Sequence, residues 1–218
     1  MERLEETLFL GGTLRVFQPK RGFRFGIDSV LLAHFVELKK EEKALEIGAG
    51  TGVIGFILLK RYPKNKLFFL EIEPLYIEAL RRGVKANLLE KRAYILKGNA
   101  LFPPFKREVF DVILANPPYF KKENGRQSKE ALENLARREE VFNLESFLKG
   151  CANLLKNKGR LYMIFTAFRL GELIYTLRTF QLEPKRLRLI HPYPGEEANL
   201  LLLKAVKRAK EGIRILPP

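Results

Sequence analysis

Apolar runs of strand length alternate with stretches of helical periodicity from residue 43 onward, and this alternation restricts the possible folds most. Strands are predicted at 43–48, 66–71, 93–97, 109–115, 159–165, 184–190 and 198–206, and helices at 52–61, 74–88, 143–156 and 168–180. Such alternation is typical of an α/β fold with a doubly wound, mostly parallel sheet. Because two strands end the chain, we expect the last of the seven strands to run antiparallel to its neighbour.

The segment before residue 43 predicts a β-hairpin and a helix. In ETLFLGGTLRVFQP, residues 6–19, apolar residues alternate on both sides of Gly11 and Gly12. Asp28 precedes an apolar-periodic stretch, so we expect it to be the N-cap of a helix. The 218 residues suit a single domain overall, in which 1–42 form the hairpin and helix and 43–218 the main α/β unit.

The charge of the chain indicates its partner. Forty Lys and Arg against 25 Asp and Glu give a net charge of +15. Phosphate backbones are the commonest reason for such an excess, so a nucleic acid is the leading partner. The alternative is a thermophile surface, rich in Lys and Glu and poor in Cys and Met, but such surfaces usually balance the two signs.

The composition also argues against several kinds of site. No stretch approaches the roughly 20 uncharged apolar residues of a membrane span, and the N-terminus lacks a signal-peptide layout, so we expect a cytoplasmic protein with no membrane partner. The single cysteine, Cys151, forms no internal disulfide or multi-cysteine metal site, and we expect it in the core. His34 and His191 have no metal or nucleophile partner in sequence, so we expect structural roles and no metal. A monomer is the simplest state.

Residues 44–55, ALEIGAGTGVIG, form the pattern of a strand, a glycine-rich turn and a helix. Glycines let the backbone approach a ligand closely, and a helix N-terminus offers free N–H groups. Glu71 stands nineteen residues after Gly52, at the end of the next predicted strand. A carboxylate at that place accepts hydrogen bonds from the ribose hydroxyls of a nucleoside. The pattern therefore predicts a nucleoside-cofactor site.

The glycine loop alone leaves two cofactors open. Gly50, Gly52 and Gly55 match the dinucleotide fingerprint of NAD(P)-binding proteins. Gly48, Gly50 and Gly52, with Glu46 two residues before the first, match the pattern of S-adenosylmethionine (AdoMet) methyltransferases better. In that pattern the acid lies near the methionine end of the cofactor. The alternative for Glu46 is a salt bridge at a strand end.

The segment FDVILANPPYF, residues 110–120, predicts a rigid clamp for a planar amino group. Ligands of doubly wound sheets bind at the carboxyl ends of strands, so Asn116 should face the same crevice as the glycine loop. The Asn116 side-chain oxygen and the Pro117 carbonyl can accept the two N–H groups of a conjugated amine and hold it towards a methyl donor. Two prolines fix the second carbonyl in place, and Tyr119 or Phe120 can stack on a flat target.

These motifs together carry a family resemblance. NPPY after an apolar strand, downstream of an AdoMet glycine loop, resembles the amino-methyltransferases of adenine N6, guanine N2 or glutamine N5. RFGIDSVLLAHF (24–35), LARREE (135–140) and PKRLRLIHP (184–192), followed by ANLLLLKAVK, are similar to the bacterial tRNA1(Val) adenine-N6-methyltransferase family. The resemblance implies a Rossmann-like class I AdoMet methyltransferase fold and N6-methylation of an adenine next to the anticodon of a tRNA.

The resemblance also implies roles for single residues. Asp28 is expected to orient the methionine end of the cofactor, with residues 1–42 on the cofactor side. Phe23 and Phe25 either pack over the cofactor or form an ordinary hydrophobic staple. Asn99 stands where the family often has an acid near the cofactor adenine, and it can still donate and accept hydrogen bonds. The remaining expected cofactor contacts are Ile72 and Ala100, which are the neighbours of Glu71 and Asn99, and Asn116.

The polar segment 121–140, directly after NPPY, is expected to be a lid or substrate-contact loop. The alternative is a solvated surface insertion. Expected substrate contacts in and beside it are Pro118, Phe120, Lys121, Lys122, Arg126, Arg137 and Arg138.

Four other functions stay open at this point. Glutamine-N5 methylation of a release factor is the first alternative, although those enzymes typically have an additional N-terminal helical domain. Guanine-N2 methylation of ribosomal RNA is the second, although its motifs more often end in Phe than Tyr. Outside the methyltransferases, a NAD(P)-binding oxidoreductase and a non-catalytic RNA-binding module remain.

Overall fold

The computed structural model describes residues 4–20, 24–101, 103–117 and 143–218, and it begins with the predicted hairpin. Strands β1 (Leu4–Phe9) and β2 (Leu14–Pro19) pair antiparallel. Gly11 and Gly12 in the turn have φ angles of 64° and 80°, which a residue without a Cβ adopts readily. The hairpin packs on helix α3 (Pro74–Ala86), where Asn87 accepts from Arg15 N at 2.9 Å and donates to Arg15 O at 2.7 Å.

Strands and helices alternate along the rest of the described chain. The strands are β3 (Lys43–Ile47), β4 (Lys66–Glu71), β5 (Ala93–Lys97), β6 (Phe110–Ala115), β7 (Leu155–Thr166), β8 (Leu182–Ile190), β9 (Leu200–Lys207) and β10 (Arg214–Ile215). The helices are α1 (Ile27–Phe35), α2 (Val53–Arg61), α3, α4 (Leu144–Leu154) and α5 (Leu170–Thr179). No described helix is long and apolar enough to cross a membrane.

One sheet of eight strands has the order β10-β8-β9-β7-β6-β3-β4-β5. The pairs β4–β5, β3–β4, β3–β6 and β6–β7 are parallel, whereas β9 runs antiparallel to both β7 and β8. The predicted doubly wound sheet with an antiparallel last strand is therefore confirmed. The short β10 adds an eighth strand that the sequence did not predict, and β7 begins at Leu155 rather than at 159, directly after α4.

The core divides between the two faces of the sheet. Along β6, Val112 and Leu114 pack on the side of α1, α2 and α3, and Ile113 and Ala115 on the side of α4 and α5. This alternation follows from the period of two in a strand, and it explains why β6 is apolar on both faces. Cys151 lies fully buried on α4, as predicted, and burial raises the pKa of its thiol.

Helix α1 begins earlier in the chain than the sequence indicates. The N-cap is Gly26, so Asp28 lies in the first turn and is not the cap. The Asp28 carboxylate accepts the N–H of Ser29 at 2.9 Å. A Cβ at Gly26 would lie 2.8 Å from Asp28 Oδ1, so the chain is close to this carboxylate at Gly26. The cap therefore lies two residues upstream of the acidic side chain that the sequence indicated.

Candidate active site

The carboxyl ends of three neighbouring strands, β3, β4 and β6, meet at one edge of the sheet. A cavity of about 30 Å³ lies there. Its lining combines α1, the glycine loop and the end of β6, and consists of Phe25, Ser29, Glu46, Gly48, Ala49, Gly50, Thr51, Val53, Ile54 and Asn116. The structure thus brings the glycine loop and the first residue of NPPY together, as the sequence predicted.

The glycine loop turns sharply away from the sheet at the end of β3. The N–H groups of Gly48 and Ala49 both donate to Leu70 O, at 3.0 and 3.2 Å, which fixes the start of the turn against β4. Gly48 and Gly50 have φ angles of 67° and 52°, and a Cβ on either would meet nothing within 4 Å. The backbone at both glycines is therefore open to a ligand.

Gly52 and Gly55 have a packing role. A Cβ at Gly52 would lie 2.5 Å from Leu80 Cδ2, and one at Gly55 would lie 2.4 Å from Phe69 Cε1. Both glycines allow α2 to lie close to its neighbours, and neither is among the residues that border the cavity. Gly52, which is expected to contact the cofactor, also brings the loop against Leu80 of α3.

Glu71 holds the glycine loop from the neighbouring strand. Its Oε2 accepts from Gly50 N at 2.7 Å, and its Oε1 accepts from Ile72 N at 2.7 Å and Glu73 N at 3.0 Å. A carboxylate offers about four acceptor positions, and these three hydrogen bonds leave about one of them open. For Glu71 to accept two ribose hydroxyls, it must therefore release one backbone N–H. The N–H of Gly50 is the candidate, because Gly50 belongs to the loop that a ligand would contact.

Glu46 lies beneath the loop on β3, at 2% exposure. Its Oε2 accepts from Gly55 N at 2.9 Å, the first turn of α2. Desolvation raises the pKa of this carboxyl well above its usual range, the Gly55 hydrogen bond opposes the rise, and the charge of Glu71 adds to it. Glu46 is therefore a buried acid that is hydrogen-bonded to the start of α2. Among the described residues it forms no ion pair, which argues against the alternative that it makes a salt bridge at a strand end.

Asn116 follows β6 and reaches α1. Its Nδ2 donates to Ser29 Oγ at 3.1 Å, which leaves the amide oxygen to accept an N–H group from a ligand. Ser29 is buried in the first turn of α1. Ser29 was not predicted as a site residue, because a helix before the cofactor strand carries no sequence signal for contact with a residue 87 positions away.

Apart from Phe25, the other residues expected near the cofactor are not among those that line the cavity. Asp28 is buried beside Ser29, and Ile72 is 49% exposed just beyond Glu71. Asn99 is exposed, and its Oδ1 accepts from Leu101 N at 2.8 Å, so the side chain caps the turn that contains Ala100. Phe25 borders the cavity and also packs edge-on against Phe9, with ring centroids 5.4 Å apart.

Pro117 is described and buried, whereas the rest of the expected clamp and loop lies outside the described residues. The predictions that fall there concern Phe23, Pro118, Tyr119, Phe120, Lys121, Lys122, Arg126, Arg137 and Arg138. Within the described residues, no cluster of three or more His, Cys, Asp or Glu side chains is arranged to hold a metal ion.

The sequence model of a family described as methyltransferase small domain matches residues 24–177, which include α1, the glycine loop, Glu71 and Asn116. The chain belongs to this family. The choice that the glycine loop left open is thereby decided for a methyltransferase over an NAD(P)-binding oxidoreductase.

Two relatives named tRNA1(Val) (adenine(37)-N6)-methyltransferase confirm the resemblance seen in the motifs. The one from Porphyromonas gingivalis is 30% identical over 187 residues, covering 82% of this chain and 72% of the relative. The one from Vibrio campbellii is 28% identical over 210 residues, covering 95% and 86%.

A solved structure from Agrobacterium tumefaciens, described as a predicted O-methyltransferase, confirms the fold. It matches with a TM-score of 0.71 at 21% identity, covering 88% of this methyltransferase and 86% of that chain.

A larger cavity, of about 350 Å³, lies at the opposite end of the sheet. It is bordered by the hairpin turn and the last residues of α2 and α3, and its lining includes no carboxylate. The glycine loop, Glu46, Glu71 and Asn116 all lie at the other end of the sheet, with the smaller cavity.

Proposed function

We propose that this methyltransferase transfers a methyl group from AdoMet to the exocyclic N6 of an adenine in RNA, with a tRNA as substrate. The observation that carries the proposal is the Asn116 amide, fixed by Ser29 at 3.1 Å beside the glycine loop. Adenine(37) of tRNA1(Val), named for the relatives, is the proposed position.

AdoMet is the cofactor, and the residues present fit it. The open backbone at Gly48 and Gly50 allows close approach, and the Glu71 carboxylate beside Gly50 can take the ribose hydroxyls. Asp28, Glu46, Ile72, Asn99 and Ala100 are proposed to hold the methionine and adenine ends. Gly52 would support the loop from behind. When bound, AdoMet supplies an electrophilic methyl group.

The work of the protein in this reaction is placement. An amino group conjugated to a purine is a poor nucleophile, because its lone pair is delocalised into the ring. Asn116 Oδ1 and the Pro117 carbonyl would each accept one N–H of the amine, which directs the lone pair towards the methyl donor and favours a tetrahedral nitrogen. Tyr119 would stack on the adenine ring.

The RNA is proposed to be held by the segment after NPPY. Lys121, Lys122, Arg126, Arg137 and Arg138 would contact phosphates, with Pro118 and Phe120 beside the base. A base in a loop is single-stranded, so turning it into the pocket costs less than extracting it from a duplex. Residues 1–42 would form part of the cofactor side, through Ser29. A cytoplasmic location and a monomeric state stay predictions.

The test is incubation with methyl-labelled AdoMet and unmodified bulk tRNA, followed by nucleoside analysis. We expect N6-methyladenosine with the intact enzyme and none with Asn116→Ala. Label in tRNA at another base would contradict adenine as the target. Label absent from tRNA but present in ribosomal RNA or in a release factor would favour the guanine-N2 or glutamine-N5 alternative.

A further inference from the structure

Two large aromatic side chains lie exposed at the same edge of the sheet as Asn116. Phe168 is 84% exposed and Tyr193 is 68% exposed. Phe168 lies in the short 3-10 helix Ala167–Arg169 after β7, and Tyr193 lies between β8 and β9. Aromatic rings contribute most to stability when buried, so two exposed rings at a ligand-binding edge suggest a contact surface. We call this pair the aromatic edge.

Tyr193 is presented by a turn of fixed shape. Glu196 N donates to Tyr193 O at 3.2 Å, and His191 Nδ1 lies 2.7 Å from Glu196 O. Pro194 followed by Gly195, with a φ of 86°, is the combination that a type II turn requires. The backbone that carries the ring is therefore held by hydrogen bonds, so little backbone entropy is lost when a ligand meets it.

Backbone hydrogen bonds join the two carriers of the aromatic edge. Ala167 N donates to Asn199 O at 3.0 Å, and Asn199 N donates to Ile190 O at 3.1 Å. The turn after β7 and the segment between β8 and β9 are thus fixed to each other. The backbone segments that carry the two rings therefore belong to one hydrogen-bonded surface.

The aromatic edge continues outward from the candidate active site. The strands at this end follow in the order β6, β7, β9, β8, and Asn116 comes directly after β6. With a spacing of about 4.8 Å between strands, the surface spans roughly 14 Å from β6 to β8. Glu71 and the glycine loop lie on the other side of β6, so the aromatic edge lies on the side away from the expected cofactor.

The charges around the aromatic edge favour bases over phosphates as its ligands. Arg169 pairs with Glu172 through two hydrogen bonds of 2.7 and 2.6 Å. Glu196 and Glu197 follow Tyr193 in the chain and are exposed. The two rings therefore dominate this surface, which suits the π-face of a base better than a phosphate group.

We propose that the aromatic edge binds single-stranded nucleotides that flank the target base, by stacking on Phe168 and Tyr193. The proposal rests on RNA as the substrate. The net charge of +15 attracts the polyanion as a whole, and the rings then fix the position of its unpaired bases.

The first test measures affinity for a stem–loop RNA that carries the target adenine, in the presence of S-adenosylhomocysteine. The double variant Phe168→Ala/Tyr193→Ala should bind about 10-fold or more weakly, the order of effect of losing base stacking. Tyr175→Ala is the matched control, because Tyr175 is 76% exposed on α5 and lies outside the aromatic edge. Tyr193→Phe should bind as the wild type does.

The second test replaces one flanking nucleotide at a time with an abasic site. At the stacked positions, the abasic site should lower the affinity of the wild type about 10-fold. The same abasic site should leave the affinity of the double variant unchanged, because its stacking rings are already absent. The inference would be overturned if the double variant bound intact RNA as tightly as the wild type does. It would also be overturned if the losses from the abasic site and from the double variant simply added. Thermal unfolding of each variant checks that the fold is intact.

The outcomes separate this inference from the proposed function. If the wild type methylates the stem–loop and the double variant does so with unchanged KM, the aromatic edge proposal fails and the RNA function stands. If the wild type methylates no RNA, both fail. If the double variant instead loses turnover on a glutamine-bearing protein, the aromatic edge is a protein-docking surface and the RNA inference is overturned.

Discussion

The two ends of the central sheet differ in the chemistry they offer. At the carboxyl end, buried Glu46 and Glu71 accept backbone N–H groups, Asn116 presents an amide, and the rings of Phe168 and Tyr193 are exposed. At the amino end, Lys43 and Lys66 are direct neighbours on β3 and β4, and both are exposed. Lys64 and Lys91 lie beside them, and in the described part of the chain none of the four ammonium groups forms an ion pair within 4.0 Å.

The difference shows that net charge and reactive site are separate properties of this fold. Among the described residues, the amino end carries these four lysines and the larger cavity but none of the acids and amides that the reaction needs. The excess of positive charge therefore predicts a polyanionic partner without locating its binding site.

The largest effect should follow a change at the carboxyl end. Asn116→Ala removes an acceptor that acts on the amine during the reaction, so kcat should fall about 10²–10³-fold while AdoMet affinity stays within about 3-fold. Methyl-transfer kinetics and calorimetry measure the two quantities. Unchanged turnover would contradict the proposed clamp and remove the main distinction between the two ends.

Loss of the Glu71 carboxylate should weaken cofactor binding. Glu71→Ala removes the acceptor of three backbone N–H groups and of the expected ribose bonds, so the Kd for AdoMet should rise about 10- to 100-fold. Calorimetry with AdoMet measures the change, and the Kd of Glu71→Gln, which keeps an acceptor oxygen, should fall between those of the wild type and Glu71→Ala. An unaltered Kd in Glu71→Ala would exclude the ribose role.

Glu46 should make stability depend on pH. Its folded pKa is raised, so its favourable contribution is complete below the unfolded pKa of about 4.3 and is lost as pH rises through the folded value. Glu46→Gln removes the buried charge and keeps an acceptor for Gly55, so Tm should rise by about 3 °C at pH 8 and by less at pH 5. Equal shifts at both pH values would contradict the assignment.

The smallest effect is expected at the amino end. Lys43→Ser/Lys66→Ser should change RNA affinity less than about 3-fold and leave the slope of log affinity against log salt unchanged. Lys121→Ser/Lys122→Ser should reduce that slope by about 2, because each lysine is proposed to neutralise one phosphate. A large effect of the amino-end variant would show that RNA reaches both ends of the sheet.

The features predicted from sequence were those specified locally. The strands, the glycine loop and the turn at Gly11 and Gly12 depend on the period of apolar residues and on backbone freedom, both visible along the chain. Features that depend on tertiary proximity could not be predicted. The Ser29–Asn116 bond joins elements distant in sequence, and Gly52 faces Leu80, a residue of the following helix.

The start of β7 and the cap of α1 also depended on tertiary packing. Leu155 pairs with Phe110 of β6. Residues 155 and 156, which the sequence predicted as the end of a helix, therefore belong to the sheet because of this pairing. At α1, the helix begins at Ile27 with Gly26 as its cap, so Asp28 lies in the first turn. The aromatic edge was invisible for the same reason, because Phe168 and Tyr193 come together only through the order of β7, β9 and β8.

The burial of the single cysteine has a practical consequence for following the RNA. Cys151 is enclosed in the core and its thiol pKa is raised, so thiol-directed dyes should not label the native protein. A Tyr193→Cys substitution would then supply the one reactive thiol, at the tip of a rigid turn. A fluorophore attached there would report the arrival and departure of an RNA loop in real time, without removal of a native cysteine.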